Sequence, residues 1–285
     1  MGVRSMATFI EARGIKIFID PGVALAPWRY GLPPHPIELE ERERVWRRIL
    51  GLAEKADVII LTHYHFDHFN PRGGLREVYH DKTLLMKDTR NNINPSQIRR
   101  SAFLLHRFEE EGVKPDIKTA DGEVFQFGDV SIVFSKAVPH GHDTRLGYVI
   151  MAYIDDGMDS FLYTSDVEGP YHEDAIDFIL RHKPRTIYLD GPMTYLTGTR
   201  VPDFIIEKCF DNLLRILNTY VPEKLIIDHH FMRDINYMSY IDKLTDQLGE
   251  RKELNILSAA GYMGASLNML EALRQKLYEE HPVRK

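Results

Sequence analysis

Three histidines and an aspartate fall within six residues of this chain, in the stretch THYHFDH at positions 62–68. The stretch follows DVIIL, an apolar run typical of a buried strand. His63 and His65 lie two apart, so in extended backbone their imidazoles point to the same side and could bind one ion. Asp67 and His68 follow after the chain turns and could bind a second ion. A mixed nitrogen and carboxylate donor set suits Zn²⁺, Mn²⁺ or Fe.

Three later stretches also place an acidic or imidazole side chain at the end of an apolar run. KAVPH ends at His140, FLYTSD ends at Asp166, and KLIIDHH ends with His229 and His230. Side chains at strand ends are held on a rigid scaffold, where functional sites tend to lie. Taken singly, His140 is more simply a loop histidine and Asp166 a helix cap or a turn aspartate. Two ions need more ligands than positions 62–68 offer, and these four residues supply them.

The elements that must position these side chains predict one α+β domain over residues 1–285. MATFIEARGIKIFIDPG alternates like a hairpin, and the proline-rich segment 21–36 that follows predicts a long loop. Strands come early in meanders, and from residue 171 helices alternate with strands. Two sheets with helices outside them satisfy this pattern. The helices are predicted at IELEERERVWRRILGLAEKA, NPSQIRRSAFLLHRFEEEG, HEDAIDFILRH, residues 202–219, NYMSYIDKLTDQL and GASLNMLEALRQKLYEE.

Composition narrows the class of protein further. The chain has 285 residues, a formal net charge of −6 and no basic tail, so no dedicated DNA-binding surface is evident. Its one cysteine, Cys209, excludes an internal disulfide and lies in a helical apolar pattern that predicts a buried, inert thiol. No apolar run has the length of a membrane span and no signal-peptide pattern is present, so we expect a soluble cytoplasmic protein. A homo-oligomer stays open.

THYHFDH resembles the H-x-H-x-D-H signature of the metallo-β-lactamase superfamily. The other residues arrive in that superfamily's order, with Asp20 of IKIFIDPG as the aspartate of an early strand. The phrases GVRSMATF, IDPGVALAPWRYGLPPHP and PHGHDTRLGYV look closer still to an uncharacterised archaeal group of hydrolase-like proteins within it. Family members normally begin with a full strand before the segment matching GVRSMAT, so we expect the first strand to be missing or shortened.

The resemblance implies a four-layer αββα sandwich, two mixed β-sheets flanked by helices, with a dinuclear site at the top of the sheets. The implied ligands are His63, His65 and His140 for one metal, Asp67, His68 and His229 for the other, and Asp166 as the bridge. His229 is preferred to His230 because the superfamily's last ligand soon follows the strand, and His142 is the alternative to His140. Asp20 would anchor the signature loop from behind the ligands. Two divalent ions are implied, with Zn²⁺ first and Mn²⁺ or Fe as alternatives.

Such a centre would hold two ions about 3.5–4 Å apart and bridge a hydroxide that attacks the substrate. Asp67 would orient this nucleophile while ligating, which makes it the predicted catalytic residue. The acid for the leaving group stays open among His230, His142 and His35. The predicted substrate-binding residues are His230, Arg233, Trp28 and Arg90. Lys87, Arg99 and Arg100 join Arg90 in a stretch that could seat a phosphate or simply form a solvated helix start.

The favoured function is hydrolysis of a small-molecule or nucleotide phosphoester, above all a diester. Hydrolysis of a lactone or thiolester is the alternative, because the same kind of site opens acyl carbonyls. Di-iron redox chemistry is disfavoured by His65, since the oxygen-reducing relatives carry a carboxylate there. An RNA-processing nuclease and a non-catalytic metal-binding module rank lower, the latter because buried unused ligands cost stability.

Overall fold

The computed structural model describes residues 2–249 and 254–283, which form two compact units. The first unit takes its described residues from 1–120 and 267–285, and the second from 121–266. Each unit contains a mixed β-sheet flanked by helices, so the predicted α+β class is confirmed. The assignment of 1–285 to one domain stays a prediction.

The first unit is built on a five-stranded sheet in the order β1-β2-β3-β4-β5. The predicted hairpin is confirmed, because β1 and β2 pair antiparallel across a turn in which Arg13 and Gly14 both have positive φ, as tight hairpins require. All later neighbours are parallel. The strands are β1 (Thr8–Ala12), β2 (Ile15–Ile19), β3 (Val58–Leu61), β4 (Thr83–Met86) and β5 (Asp116–Thr119).

Three helices accompany this sheet before the chain enters the second unit. They are α1 (Pro36–Ala53), α2 (Leu75–Tyr79) and α3 (Pro95–Glu111). Helix α1 buries Val45, Ile49 and Ala53, which lie four residues apart on one face. Helix α3 begins with Asn94 accepting a bond from the Gln97 amide and ends at Gly112 in the left-handed conformation.

The second unit is built on a seven-stranded sheet in the order β14-β13-β12-β11-β10-β7-β6, with β8 and β9 paired apart from it. Strands β11 to β14 are parallel, and β6, β7 and β10 run antiparallel to their neighbours. The strands are β6 (Val124–Phe127), β7 (Val130–Phe134), β8 (Val138–Pro139), β9 (Tyr148–Val149), β10 (Ala152–Asp155), β11 (Ser160–Tyr163), β12 (Thr186–Leu189), β13 (Lys224–Ile227) and β14 (Asn255–Leu257). The helices are α4 (Glu173–His182), α5 (Asp203–Thr219), α6 (Tyr237–Leu248) and α7 (Ala259–Tyr262), with 3₁₀ turns at Thr194–Leu196 and Phe231–Arg233.

The helix predicted at GASLNMLEALRQKLYEE is wrong over its first half, because regular helix occupies only Arg274–Glu280. Residues 270–272 are buried in succession, which one face of a helix does not allow. Glu271 forms a two-pronged ion pair with Arg4, at 2.7 Å for both contacts. Long-range contacts thus override the local helical pattern.

The proline-rich segment 21–36 contains no helix and no named strand until α1 begins, and the C-terminal segment of the same unit holds it. Arg274 donates to the carbonyls of Ala26 and Leu32, each at 3.0 Å. The Tyr30 hydroxyl donates to the Ala272 carbonyl at 3.1 Å. Within residues 2–249 and 254–283, no helix has the length and apolarity needed to cross a membrane.

Candidate metal sites

The first candidate site lies at the carboxyl ends of β2 and β3, which are parallel neighbours. Asp20 follows β2, and Thr62 and His63 follow β3, so strand pairing brings them to the same edge of the sheet. Asp20 has a φ of 47°, a left-handed conformation that costs energy in a residue other than glycine. Its amide donates to the Ile60 carbonyl at 2.9 Å, which holds the residue in that conformation.

The buried carboxylate of Asp20 organises the signature stretch. It accepts hydrogen bonds from the Thr62 amide at 2.8 Å and from the Thr62 hydroxyl. Its Oδ2 atom also lies 2.7 Å from His68 Nδ1. An ionised carboxylate only accepts, so His68 donates from Nδ1 and keeps the lone pair of Nε2 for a metal.

The signature histidines cluster tightly around this aspartate. The ring centroids of His63 and His65 lie 4.8 Å apart, and those of His63 and His68 lie 4.1 Å apart. One ligand atom from each of Asp20, His63 and His68 lies within 4.8 Å of the others. His65 and Asp67 are half-buried in the same stretch. Burial lowers the pKa of Arg100, and the negative charge of Asp67 only partly opposes this shift.

A glycine is required where the chain leaves β2. A Cβ atom at Gly22 would lie 2.2 Å from the Phe69 amide nitrogen and 2.3 Å from the His68 carbonyl carbon. Both are backbone atoms, so a side chain at this position would push the signature stretch away.

The second candidate site lies at the carboxyl ends of β11, β12 and β13, which are consecutive parallel strands. Asp166 follows β11, Asp190 follows β12, and Asp228, His229 and His230 follow β13. All five side chains are buried. His229 has a φ of 49°, so this strand end, like that of β2, departs sharply from extended backbone.

Asp166 is the centre of this second cluster. Its Oδ2 atom lies 3.3 Å from His140 Nε2, 3.7 Å from His229 Nε2 and 3.8 Å from His230 Nε2. The other ring nitrogen of His140, Nδ1, lies 3.3 Å from Glu168 Oε1. Burial lowers the pKa of His140, but the carboxylates of Asp166 and Glu168 outweigh burial and raise it to about 10.

Asp190 and Glu168 belong to this cluster although the sequence analysis did not single them out. Asp190 Oδ2 accepts from the Glu168 amide at 2.7 Å and from His230 Nδ1 at 2.9 Å. Burial raises the pKa of Asp190 well above its ordinary value, and the charge of Asp166 raises it further. The signal for Asp190 was present, because TIYLDGP ends its apolar run at this aspartate just as FLYTSD does at Asp166.

The donor chemistry of both clusters fits divalent transition metals. Histidine ligands typically carry a carboxylate or carbonyl behind the nitrogen that does not bind the metal. His68 has Asp20 in that position, His140 has Glu168, and His230 has Asp190. The second unit also buries the interacting carboxylates of Asp166, Glu168 and Asp190, and bound cations would offset their mutual repulsion.

The residues predicted to bind substrate lie in different surroundings. Arg233 is 7 % exposed, with Nη2 at 3.0 Å from His229 Nε2 and Nη1 at 3.5 Å from the Tyr195 hydroxyl. Burial and the charge of Arg233 lower the pKa of His230 well below its ordinary value. Trp28 is 67 % exposed, and Arg90 is exposed in a turn where its amide donates to Asp88.

Two of the proposed proton donors have other roles within their loops. His35 caps α1 by accepting from the Ile37 amide, and its Nε2 atom lies 2.8 Å from the His281 carbonyl oxygen. His142 lies on the loop after His140, with Nε2 at 3.4 Å from Asp143 Oδ2.

Comparison with known proteins identifies the family. The family model for the metallo-β-lactamase superfamily matches residues 2–226. The chain belongs to the metallo-β-lactamase superfamily. A UPF0282 protein of Korarchaeum cryptofilum is 46% identical over 283 residues, covering 99% of this chain and 93% of its own length. A UPF0282 protein of Sulfurisphaera tokodaii is 40% identical, covering 98% of this chain and 90% of its own length. The resemblance to an archaeal group within this superfamily is therefore confirmed.

Two solved structures show the same fold at low sequence identity. An isothiocyanate hydrolase from Delia radicum gut bacteria has a TM-score of 0.56 at 17% identity, covering 90% of this chain and 94% of that chain. The metallo-β-lactamase fold protein YhfI from Bacillus subtilis has a TM-score of 0.53 at 17% identity, covering 90% of this chain and 89% of that chain. Together with the family match, these similarities confirm the predicted metallo-β-lactamase fold.

Proposed function

We propose that this protein is a metal-dependent hydrolase that cleaves a phosphodiester. Membership of the metallo-β-lactamase superfamily supports a hydrolase that uses divalent ions. The observation that carries the proposal is the set of buried imidazoles in each unit, in which Asp20 backs the assigned ligand His68 and Glu168 backs the assigned ligand His140. A fold retained only as a binding module would not need to keep these costly buried groups.

The ligand assignment that we propose follows the superfamily's order of residues. One ion is assigned to His63, His65 and His140, the other to Asp67, His68 and His229, and Asp166 is assigned to both. Bound ions would act as Lewis acids and lower the pKa of water toward neutrality. The chain's own residues hold the rings in place, since Asp20 fixes the orientation of His68 through Nδ1.

Arg233 favours an anionic substrate over a neutral lactone or thiolester. Its guanidinium cannot lose its charge in a protein, and it is almost fully buried. It points Nη2 at His229 Nε2, the atom that we assign to a metal ion. A metal-bound His229 cannot accept this hydrogen bond, so Nη2 would donate to another acceptor, for which we propose an oxygen of the substrate. Planar guanidinium groups suit phosphate oxygens, because they donate two parallel hydrogen bonds.

A comparison of rates tests this function. Protein loaded with Zn²⁺ or Mn²⁺ is given bis(p-nitrophenyl) phosphate, a simple lactone and a thiolester, with the His65→Ala variant as the blank. We expect cleavage of the diester that is lost in the variant. Cleavage of the lactone or thiolester alone would contradict the proposal and favour the acyl alternative.

The role of Arg233 has its own pair of variants. We expect Arg233→Lys to lower kcat/KM for the diester by about tenfold or more, because lysine cannot reproduce the two parallel donors. The exposed Arg215→Lys exchange on α5 should change it by less than twofold. Equal effects of the two exchanges would show that Arg233 does not contact the substrate.

A further inference from the structure

A cleft of about 530 Å³ opens in the first unit beside the signature stretch. Its walls come from the proline-rich segment, from α1, from Phe66 of the signature and from residues 69–73. We call it the Phe66 cleft, after the residue between the predicted ligands His65 and Asp67. Its volume falls in the range of about 300–1,000 Å³ that is usual for small-molecule sites.

Two arginines flank the ring of Phe66. The guanidinium carbon of Arg72 lies 5.4 Å from the ring centroid, and that of Arg100 lies 4.8 Å from it. Arg100 also donates to the Tyr64 carbonyl at 3.2 Å, which fixes it beside the signature stretch. Arg72 is exposed, whereas Arg100 is half-buried and interacts electrostatically with Asp67.

The other charges of the cleft cancel. Arg42 and Glu43 both line it and are paired with each other at 2.6 Å. Among the charged residues that line the cleft, Arg72 therefore leaves a net positive charge. A positive surface attracts anionic ligands.

Aromatic surface provides the second recognition feature. Trp46, Phe66 and Phe69 line the cleft together with Pro27, Pro34 and Pro71. Trp46 and Phe66 are half-buried, so parts of both rings stay accessible. Rings of this kind stack on flat ligand groups, and arginine beside them adds charge recognition.

We propose that the Phe66 cleft binds a nucleoside group of the substrate, with the base against the aromatic wall and a phosphate toward Arg72. This inference rests on the proposed function and names the substrate class, a nucleotide phosphodiester. Phe66 directly precedes the predicted ligand Asp67, so one wall of the cleft belongs to the signature stretch. Gly22 and the anchored proline-rich segment keep the walls in place before the ligand arrives.

Binding is tested by fluorescence, separately from catalysis. The chain has two tryptophans, so in the Trp28→Phe variant Trp46 in the cleft wall is the sole tryptophan reporter. Metal-loaded protein is titrated with adenosine 5′-monophosphate, with adenosine and with inorganic phosphate. We expect a saturable change in Trp46 emission with the nucleotide, a weaker one with adenosine and none with phosphate.

Arg72→Gln should weaken nucleotide binding by about tenfold, the usual effect of one charge-assisted hydrogen bond. Arg76→Gln is the matched control, because Arg76 is exposed on α2 and does not line the cleft. Phe66→Leu should weaken adenosine and nucleotide binding alike, since it removes the ring and keeps an apolar side chain. The inference would be overturned if neither the Arg72 nor the Phe66 exchange changed the nucleotide affinity, or if the nucleotide caused no change in Trp46 emission.

The two proposals fail differently. Nucleotide binding that depends on Arg72, without hydrolysis of any diester, would support the cleft and contradict the hydrolase. If the protein hydrolyses bis(p-nitrophenyl) phosphate but its Trp46 emission does not change with nucleotide, the hydrolase is supported and the cleft proposal is contradicted.

Discussion

We expect the Arg274→Met substitution to lower the free energy of unfolding by about 3–5 kcal/mol, the usual cost of removing one partner of a buried ion pair. Arg274 and Glu38 are both fully buried, and two contacts of 2.8 Å join the guanidinium to the carboxylate. The same guanidinium donates to the carbonyls of Ala26 and Leu32, so methionine would fill the volume and satisfy none of the four acceptors.

A second substitution separates the charge from the packing. In Arg274→Met with Glu38→Gln, no buried charge is left uncompensated, and the glutamine oxygen can still accept from the His35 amide, which Glu38 binds at 2.8 Å. We expect the double variant to recover about 2 kcal/mol of the lost stability. The rest of the loss remains, because the carbonyls of Ala26 and Leu32 still lack their donor.

Urea unfolding followed by circular dichroism measures these differences. The control is Arg44→Met on the same helix α1, because Arg44 is 61% exposed in its pair with Glu41. An exposed pair of this kind contributes about 0–1 kcal/mol. Equal losses for Arg274→Met and Arg44→Met would refute the idea that the buried pair fastens the proline-rich segment.

Three further changes have definite expected outcomes. Asp20→Asn should reduce metal affinity, measured with a competing chelator, by about 10- to 100-fold, because the amide no longer fixes His68 as the carboxylate does. An unchanged affinity would show that Asp20 does not orient a metal ligand. Gly22→Ala should lower the melting temperature and the bound metal, since its Cβ meets backbone at 2.2 Å, whereas Gly51→Ala, in open space on α1, should be neutral or stabilising by up to about 1 kcal/mol. Cys209 should not react with a disulfide reagent at pH 8 until the protein unfolds, because burial raises its pKa to about 12 and the thiol stays protonated; rapid reaction of the native protein would contradict its burial.

The sequence predicted those features whose signal is local. The hairpin of β1 and β2 followed from alternation and a turn, and α3 followed from Pro95 at its start and Gly112 at its end. The signature stretch was recognisable because scarce residue types repeat there at a fixed spacing. Apolar runs likewise predicted that Asp166, His229 and His230 lie at strand ends, and the structure places them there.

The features that escaped depend on partners far along the chain. Arg274 and Glu38 are 236 positions apart, so no local pattern connects them. Glu168 is an ordinary loop residue until the fold sets its carboxylate 3.3 Å from His140. Asp190 could have been found, since it ends a strand beside the one that ends at Asp166.

The most direct test of the metal centre is the number of ions that each chain binds. Protein stripped of metal is titrated with Zn²⁺, and the bound metal is measured by inductively coupled plasma mass spectrometry after gel filtration. We predict two tightly bound ions per chain, and fewer in Asp166→Asn, while Asp211→Asn on the exposed face of α5 keeps both. A well-folded chain that retains no ion, or an Asp166→Asn variant that retains two with unchanged affinity, would contradict the account.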